Sequence, residues 1–168
     1  FYFTFDSSGV TFDGSGHTID ISGVDDFIGL FQNGTSNDNG KSDITIKNLG
    51  VKSSGLTVMA NTAGWVCQPY FGKSAGGNKI ENCYSTSRIT KQNSGGICGA
   101  HTGTGIGGNV TITNCYYIGD AVTGTYSGGI CGSYTGSSSG TVTITNSYSS
   151  CSIVLSSTGG ICGAYTGD

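Results

Sequence analysis

The run Gly95-Gly96-Ile97-Cys98-Gly99-Ala100 decides the fold because it comes back twice, as Gly128-Gly129-Ile130-Cys131-Gly132-Ser133 and Gly159-Gly160-Ile161-Cys162-Gly163-Ala164. Its isoleucines stand 33 and 31 residues apart. A looser copy, Gly64-Trp65-Val66-Cys67, places Val66 31 residues before Ile97, and Gly29-Leu30-Phe31 places Leu30 a further 36 before Val66. Repetition at such a period marks a solenoid, a propeller or an array, in which one unit cannot bury its apolar side alone.

A second run lies between the copies. Val110-Thr111-Ile112-Thr113-Asn114-Cys115-Tyr116 matches Val142-Thr143-Ile144-Thr145-Asn146-Ser147-Tyr148, and earlier versions are Asn78-Lys79-Ile80-Glu81-Asn82-Cys83-Tyr84 and Ile44-Thr45-Ile46-Lys47-Asn48-Leu49-Gly50. A third, weaker β-prone segment completes each unit at 56–59, 88–91, 121–126 and 152–156. Three short segments divided by Gly, Ser, Thr and Asn turns, with no capped 3.6-residue apolar period, read as strands. A propeller blade needs about 40–45 residues and four strands, which is longer than most of these units. One turn of a coil with three faces fits. The predicted fold is therefore all-β: a right-handed parallel β-helix of about five coils, each 31–36 residues long. Neighbouring coils about 4.8 Å apart give a stub about 25 Å tall. We divide the chain into an entry coil at 1–26, repeats at 27–63, 64–94, 95–127 and 128–158, and the start of a further coil at 159–168, all one domain and a piece of a longer or processed protein.

Alternation along a strand assigns the columns. Ile46, Ile80, Ile112 and Ile144 form an inward aliphatic stack, and strict period-2 counting places Asn48, Asn82, Asn114 and Asn146 on the same inward side, as a ladder at the turn. The doubled glycines mark a corner that needs positive φ or a close backbone approach. Cys67, Cys98, Cys131 and Cys162 form one column, and Cys83 with Cys115 another, continued by Ser147. No C-x-x-C pair suggests zinc. Seven cysteines are an odd number, and Phe31 holds the column's place in the earliest repeat, so the expectation is apolar packing as reduced thiols, with assembly in a reducing cytoplasm.

Composition narrows the function. Charged residues make up 10% of the chain, the net charge is −3, and the seven basic residues are scattered, so no stripe exists for nucleic-acid phosphates. No apolar run reaches the roughly 20 residues of a membrane-spanning helix. Threonines at 111, 113, 143 and 145 suggest an ice-matching array, but Lys47, Lys79 and Glu81 interrupt it. Gly103–Gly108 lacks the strand–helix context of a phosphate loop. Tyr84, Tyr116 and Tyr148 form an aromatic column, as do Tyr70, His101, Tyr134 and Tyr165; the first is a candidate sugar-stacking stripe, with ring packing between coils as the competing role.

The stretch Val10-Thr11-Phe12-Asp13-Gly14-Ser15-Gly16-His17-Thr18-Ile19 resembles the opening coil of pectate-lyase-like β-helix proteins, a resemblance that implies polysaccharide lyase or hydrolase chemistry. Glycoside cleavage needs two convergent carboxylates, and Asp25-Asp26 is the one obvious pair. The Asp, Gly-His-Gly and Arg-x-Lys motifs of polygalacturonate-cleaving members are missing. Arg88 is the sole arginine, and His17 and His101 lack partners. We therefore expect no catalytic residue, cofactor or metal. The Gly-Gly-Ile-Cys-Gly and Thr-Ile-Thr-Asn-Cys-Tyr runs over 64–168 resemble repeat proteins encoded by giant DNA viruses of protists, and similar repeats occur in bacterial adhesins. That resemblance implies a structural component of a virion or cell surface, coat or fibre. Its partners would be other coat or filament proteins or further copies of itself through the coil ends, with a host-surface glycan as the alternative partner.

Overall fold

A computed structural model describes residues 1–54 and 59–167. It is a β-solenoid of about five stacked turns, all-β and without a helix among the described residues. The first face carries β2 (Thr11–Asp13), β5 (Thr45–Lys47), β7 (Asn78–Glu81), β9 (Asn109–Thr113) and β11 (Thr141–Thr145). The second carries β3 (Thr18–Asp20), β6 (Gly50–Lys52), β8 (Tyr84–Ser85), β10 (Tyr116–Val122) and β12 (Tyr148–Ile153). Each face is a five-stranded parallel sheet in which every strand pairs with its equivalent one coil away. On the third face β1 (Phe3–Thr4) pairs with β4 (Phe31–Gln32), and single bridges then join Phe31 to Cys67, Cys67 to Cys98, Cys98 to Cys131 and Cys131 to Cys162.

Register follows the repeat. Ile46 pairs with Ile80, Ile80 with Ile112, and Ile112 with Ile144. The first three are fully buried and Ile144, in the last coil, is half-buried. Cys67, Cys98 and Cys131 are also fully buried, so the aliphatic and cysteine columns both run through the core as expected. Stacking lets side chains of identical shape meet at a constant interval, and each coil removes its neighbour's apolar face from water.

The Asn column corrects the period-2 reading. Asn82, Asn114 and Asn146 are exposed and Asn48 is half-buried. All have left-handed backbone, with φ of 54°, 52°, 53° and 48° at Asn48, Asn82, Asn114 and Asn146. A left-handed residue turns the chain from the first face onto the second and interrupts alternation, so the next residue, not the Asn, faces inward: Leu49, Cys83 and Cys115 are buried. Asn is among the few non-glycine residues that adopt this conformation readily. The second-face strand therefore starts at Tyr84, Tyr116 and Tyr148, earlier than the third segment read from sequence. Of those segments, 121–122 lies in β10, 152–153 lies in β12, and Ile89 and Met59 make isolated bridges to Val122 and Phe27. Residues 56–58 lie outside the described residues.

The doubled glycines serve close approach, and none of them has positive φ. A Cβ on Gly95 would strike the Cys98 carbonyl, and one on Gly96 would meet the Gly129 carbonyl and lie 2.7 Å from the Tyr117 ring.

Candidate functional site

The features that recur outside the core are three side-chain ladders along the coil axis. The first is the Asn ridge. Asn114 Nδ2 donates to Asn82 Oδ1 at 3.2 Å, Asn82 Nδ2 donates to Asn48 Oδ1 at 3.1 Å, and Asn48 Nδ2 donates to Asp13 Oδ1 at 2.9 Å. The Asn82 and Asn48 amides each accept from one coil and donate to the other, and the ladder ends on a carboxylate. Asp13 also accepts from the Ser15 backbone N–H and sits 3.4 Å from Lys47 Nζ. The Asn48 amide, then the Ser15 N–H, hold its carboxyl below the usual range. Sequence reading missed this capping role; the signal was Asp13 standing one residue before the place that Asn48 takes in the next coil.

The second ladder is Tyr84–Tyr116–Tyr148. The rings lie 5.0 and 5.3 Å apart and within 4° and 8° of parallel. The Tyr84 ring covers Gly50, where any Cβ would run into it, and its hydroxyl hydrogen-bonds the Thr18 hydroxyl. Burial, followed by its two neighbouring tyrosines, raises the Tyr116 pKa. These rings spend their faces on one another. Sugars stack on ring faces, whereas a ladder of this kind offers solvent mostly ring edges, so the arrangement suits inter-coil packing better than glycan stacking.

The third ladder runs just after the third-face bridges, through Tyr70, His101, Tyr134 and Tyr165. Centroids are 4.6, 4.9 and 4.9 Å apart with interplanar angles of 2°, 4° and 11°. All four residues have left-handed backbone, φ 64°, 58°, 55° and 59°. Bulky side chains there cost about 1–2 kcal/mol each, and ring stacking worth about 0.5–1.5 kcal/mol per pair offsets it. A threonine one residue on fastens three of the turns: Thr102 and Thr135, both buried, and the exposed Thr166 donate their hydroxyls to the Gly99, Gly132 and Gly163 carbonyls at 2.9 Å. His101 is thus a member of a packed column, and burial lowers its pKa.

The other candidates stay apart. Asp25 and Asp26 are exposed, with Asp26 at φ 49°, and His17 is exposed on the entry coil. A recess of about 140 Å³ beside Gln32, Asn33, Thr35, Asp38 and Lys41 contains one carboxylate. Thr113 and Thr145 hydroxyls bond at 3.1 Å, while Lys47 and Glu81 share their row of the first face and Lys79 interrupts the row of Thr111 and Thr143. All seven cysteines are free thiols, and among the described residues no group of three or more His, Cys, Asp or Glu converges. In the second thiol column, Cys83 and Cys115 donate to the Glu81 and Thr113 carbonyls at 3.3 and 3.4 Å. Ser147 repeats that bond to Thr145 at 2.8 Å.

Searches of protein-family models, curated proteins and solved structures give no match to this chain.

Proposed function

We propose that the chain is a non-catalytic, rigid stacked scaffold, a structural component of a virion or cell surface, coat or fibre. The observation that supports this reading most is the direction in which the outer side chains spend their interactions. Asn48, Asn82, Asn114, Tyr84, Tyr116, Tyr148 and the Tyr70–His101–Tyr134–Tyr165 column bond to the coil above or below. A surface built that way favours axial stiffness over a concave site, and its low charge and hydroxyl-rich faces suit lateral contact with other coat or filament proteins or with further copies.

The test is to place the native chain by labelled antibody and electron microscopy in its intact parent particle or filament, alongside polyuronate turnover and glycan-array assays of the purified chain. A regular surface location with neither activity is expected. Turnover that disappears in Asp25→Asn or Asp26→Asn would replace the scaffold with an enzyme. Array binding that disappears in Tyr116→Ala or Tyr148→Ala would replace it with a glycan-binding module.

A further inference from the structure

The third aromatic ladder stops one rung short. His101 and Tyr134 carry a ring on both faces, whereas Tyr70 carries His101 on one face alone. Counting three residues on from the bridged pair Phe31 and Cys67 puts Gly34 where the next ring belongs. The chain cannot place a side chain there itself. Gly34 has φ of 113°, and a Cβ on it would stand 2.6 Å from the Tyr70 carbonyl oxygen. Gly34 and Tyr70 instead border a recess of about 180 Å³, lined also by Ile28, Gln32, Gln68 and Pro69.

We propose that this recess is a docking socket for one aromatic side chain, tyrosine or tryptophan, presented by a neighbouring coat or filament protein. The identity of that partner rests on the scaffold reading; the chemistry rests on the recess. Size favours a side chain, because pockets for free ligands begin at roughly 300 Å³. Stacking favours an aromatic one. The ladder's rings already sit 4.6–4.9 Å apart and nearly parallel, and an entering ring continues that spacing onto the open Tyr70 face. The amides favour a ring that carries a donor. Gln68 is buried and fixed, its Nε2 donating to the Gly29 carbonyl at 3.1 Å and its Oε1 accepting from Gln32 Nε2 at 3.1 Å. The Gln32 carboxamide oxygen then has no donor among the described residues, and a phenol O–H or an indole N–H supplies one. Lys73 is the competitor. Its ammonium donates to the Ser36 carbonyl at 2.8 Å and stands 6.0 Å from the Tyr70 ring centre, the outer limit of cation–π attraction, so the entering ring displaces a weak contact.

The test titrates N-acetyl-tyrosinamide into the isotope-labelled chain and follows the Gln32 and Gln68 side-chain amides and the Tyr70 ring by NMR. All three should shift together and saturate. N-acetyl-phenylalaninamide, which lacks the hydroxyl, should bind about threefold to tenfold more weakly, the worth of one hydrogen bond. Tyr70→Ala should abolish binding. Gln32→Ala, at a half-buried position, should erase the difference between the two probes, and it decides the matter where the Tyr70 variant fails to fold. Lys73→Gln should bind as well or better. A folded chain whose amides stay still up to the solubility limit of the probe overturns the proposal. So does binding lost in Lys73→Gln, which would make the site a carbonyl or anion receptor. Methyl glucoside moving the same amides more strongly would make it a sugar subsite, and a probe that stacks on Tyr165 alone would show that any open ring face suffices. Each outcome is read on the purified chain, so a failed socket leaves the scaffold reading to its own test in the parent particle.

Discussion

The entry coils and the later coils fill the same solenoid in different ways. Around Phe31 the rings interlock at varied angles: Phe3 lies 5.4 Å away at 24°, Phe12 4.7 Å at 62°, and Phe5 6.1 Å at 17°. From Cys67 onward the same column is one small thiol per coil, and near-parallel aromatic stacks run along the outside, while Phe71 and Tyr117 stay in the core as single rings. The entry region is an irregular packing of large pieces around one hub, whereas the later coils are built from nearest-neighbour contacts that can be copied indefinitely. Losing a hub should therefore cost more than losing a rung.

The largest expected effect tests that contrast directly. Phe31→Ala should destabilise the chain by about 3–5 kcal/mol, because it removes a fully buried ring that touches three others. Ile112→Ala, a fully buried rung between Ile80 and Ile144, should cost about 2–4 kcal/mol. Denaturant melts of both variants measure the gap; an equal or reversed order would abolish the distinction between hub and rung.

The Asn ridge comes next. Asn114→Ala should cost about 1–2 kcal/mol, combining left-handed backbone strain with the lost ladder bond. Asn114→Gly should recover most of the strain, since glycine adopts φ near the observed 53° without penalty. Were the amide inward and its bonding the main contribution, glycine would melt no later than alanine. Tyr116→Ala removes two ring contacts and should cost about 1–2 kcal/mol, whereas Tyr116→Phe should be nearly neutral. A large loss in the phenylalanine variant would shift the weight from stacking to the hydroxyl.

The smallest effect is a pH dependence at His101. Burial lowers its pKa from the ordinary value of 6.5, so folding favours the neutral ring. Its stability contribution is complete above 6.5 and declines as acid protonates the unfolded chain, down to the lower folded value. Comparing melts of the wild type and His101→Tyr across this range should show a wild-type decline that the tyrosine variant lacks. A wild-type gain on acidification would mean that the stacked tyrosines favour the cation.

Much of this architecture is legible in the sequence because stacking converts repetition into columns. Ile46, Ile80, Ile112 and Ile144 lie over one another as their spacing implies, as do Cys67 through Cys162 and both aromatic columns. What escaped was backbone hand. A left-handed residue turns the chain and resets which side chain faces in, so counting by twos placed Asn114 inside when Cys115 takes that place. The same blindness hid the left-handed turn under Tyr70, His101, Tyr134 and Tyr165, and with it the reason these rings stack. Asp13 as the end of the Asn ladder was readable only once the coil register was known.

The central claim is in-register stacking along one axis, and distances down a single column measure it. Thr11, Thr45, Lys79, Thr111 and Thr143 are successive partners on the first face. Pairs of spin labels at Thr11 and each later position, read by electron–electron dipolar spectroscopy with short rigid labels, should separate by about 5 Å more per coil, reaching about 19 Å at Thr143. A separation that levels off, or that returns toward its starting value as in blades arranged around a centre, would contradict the account.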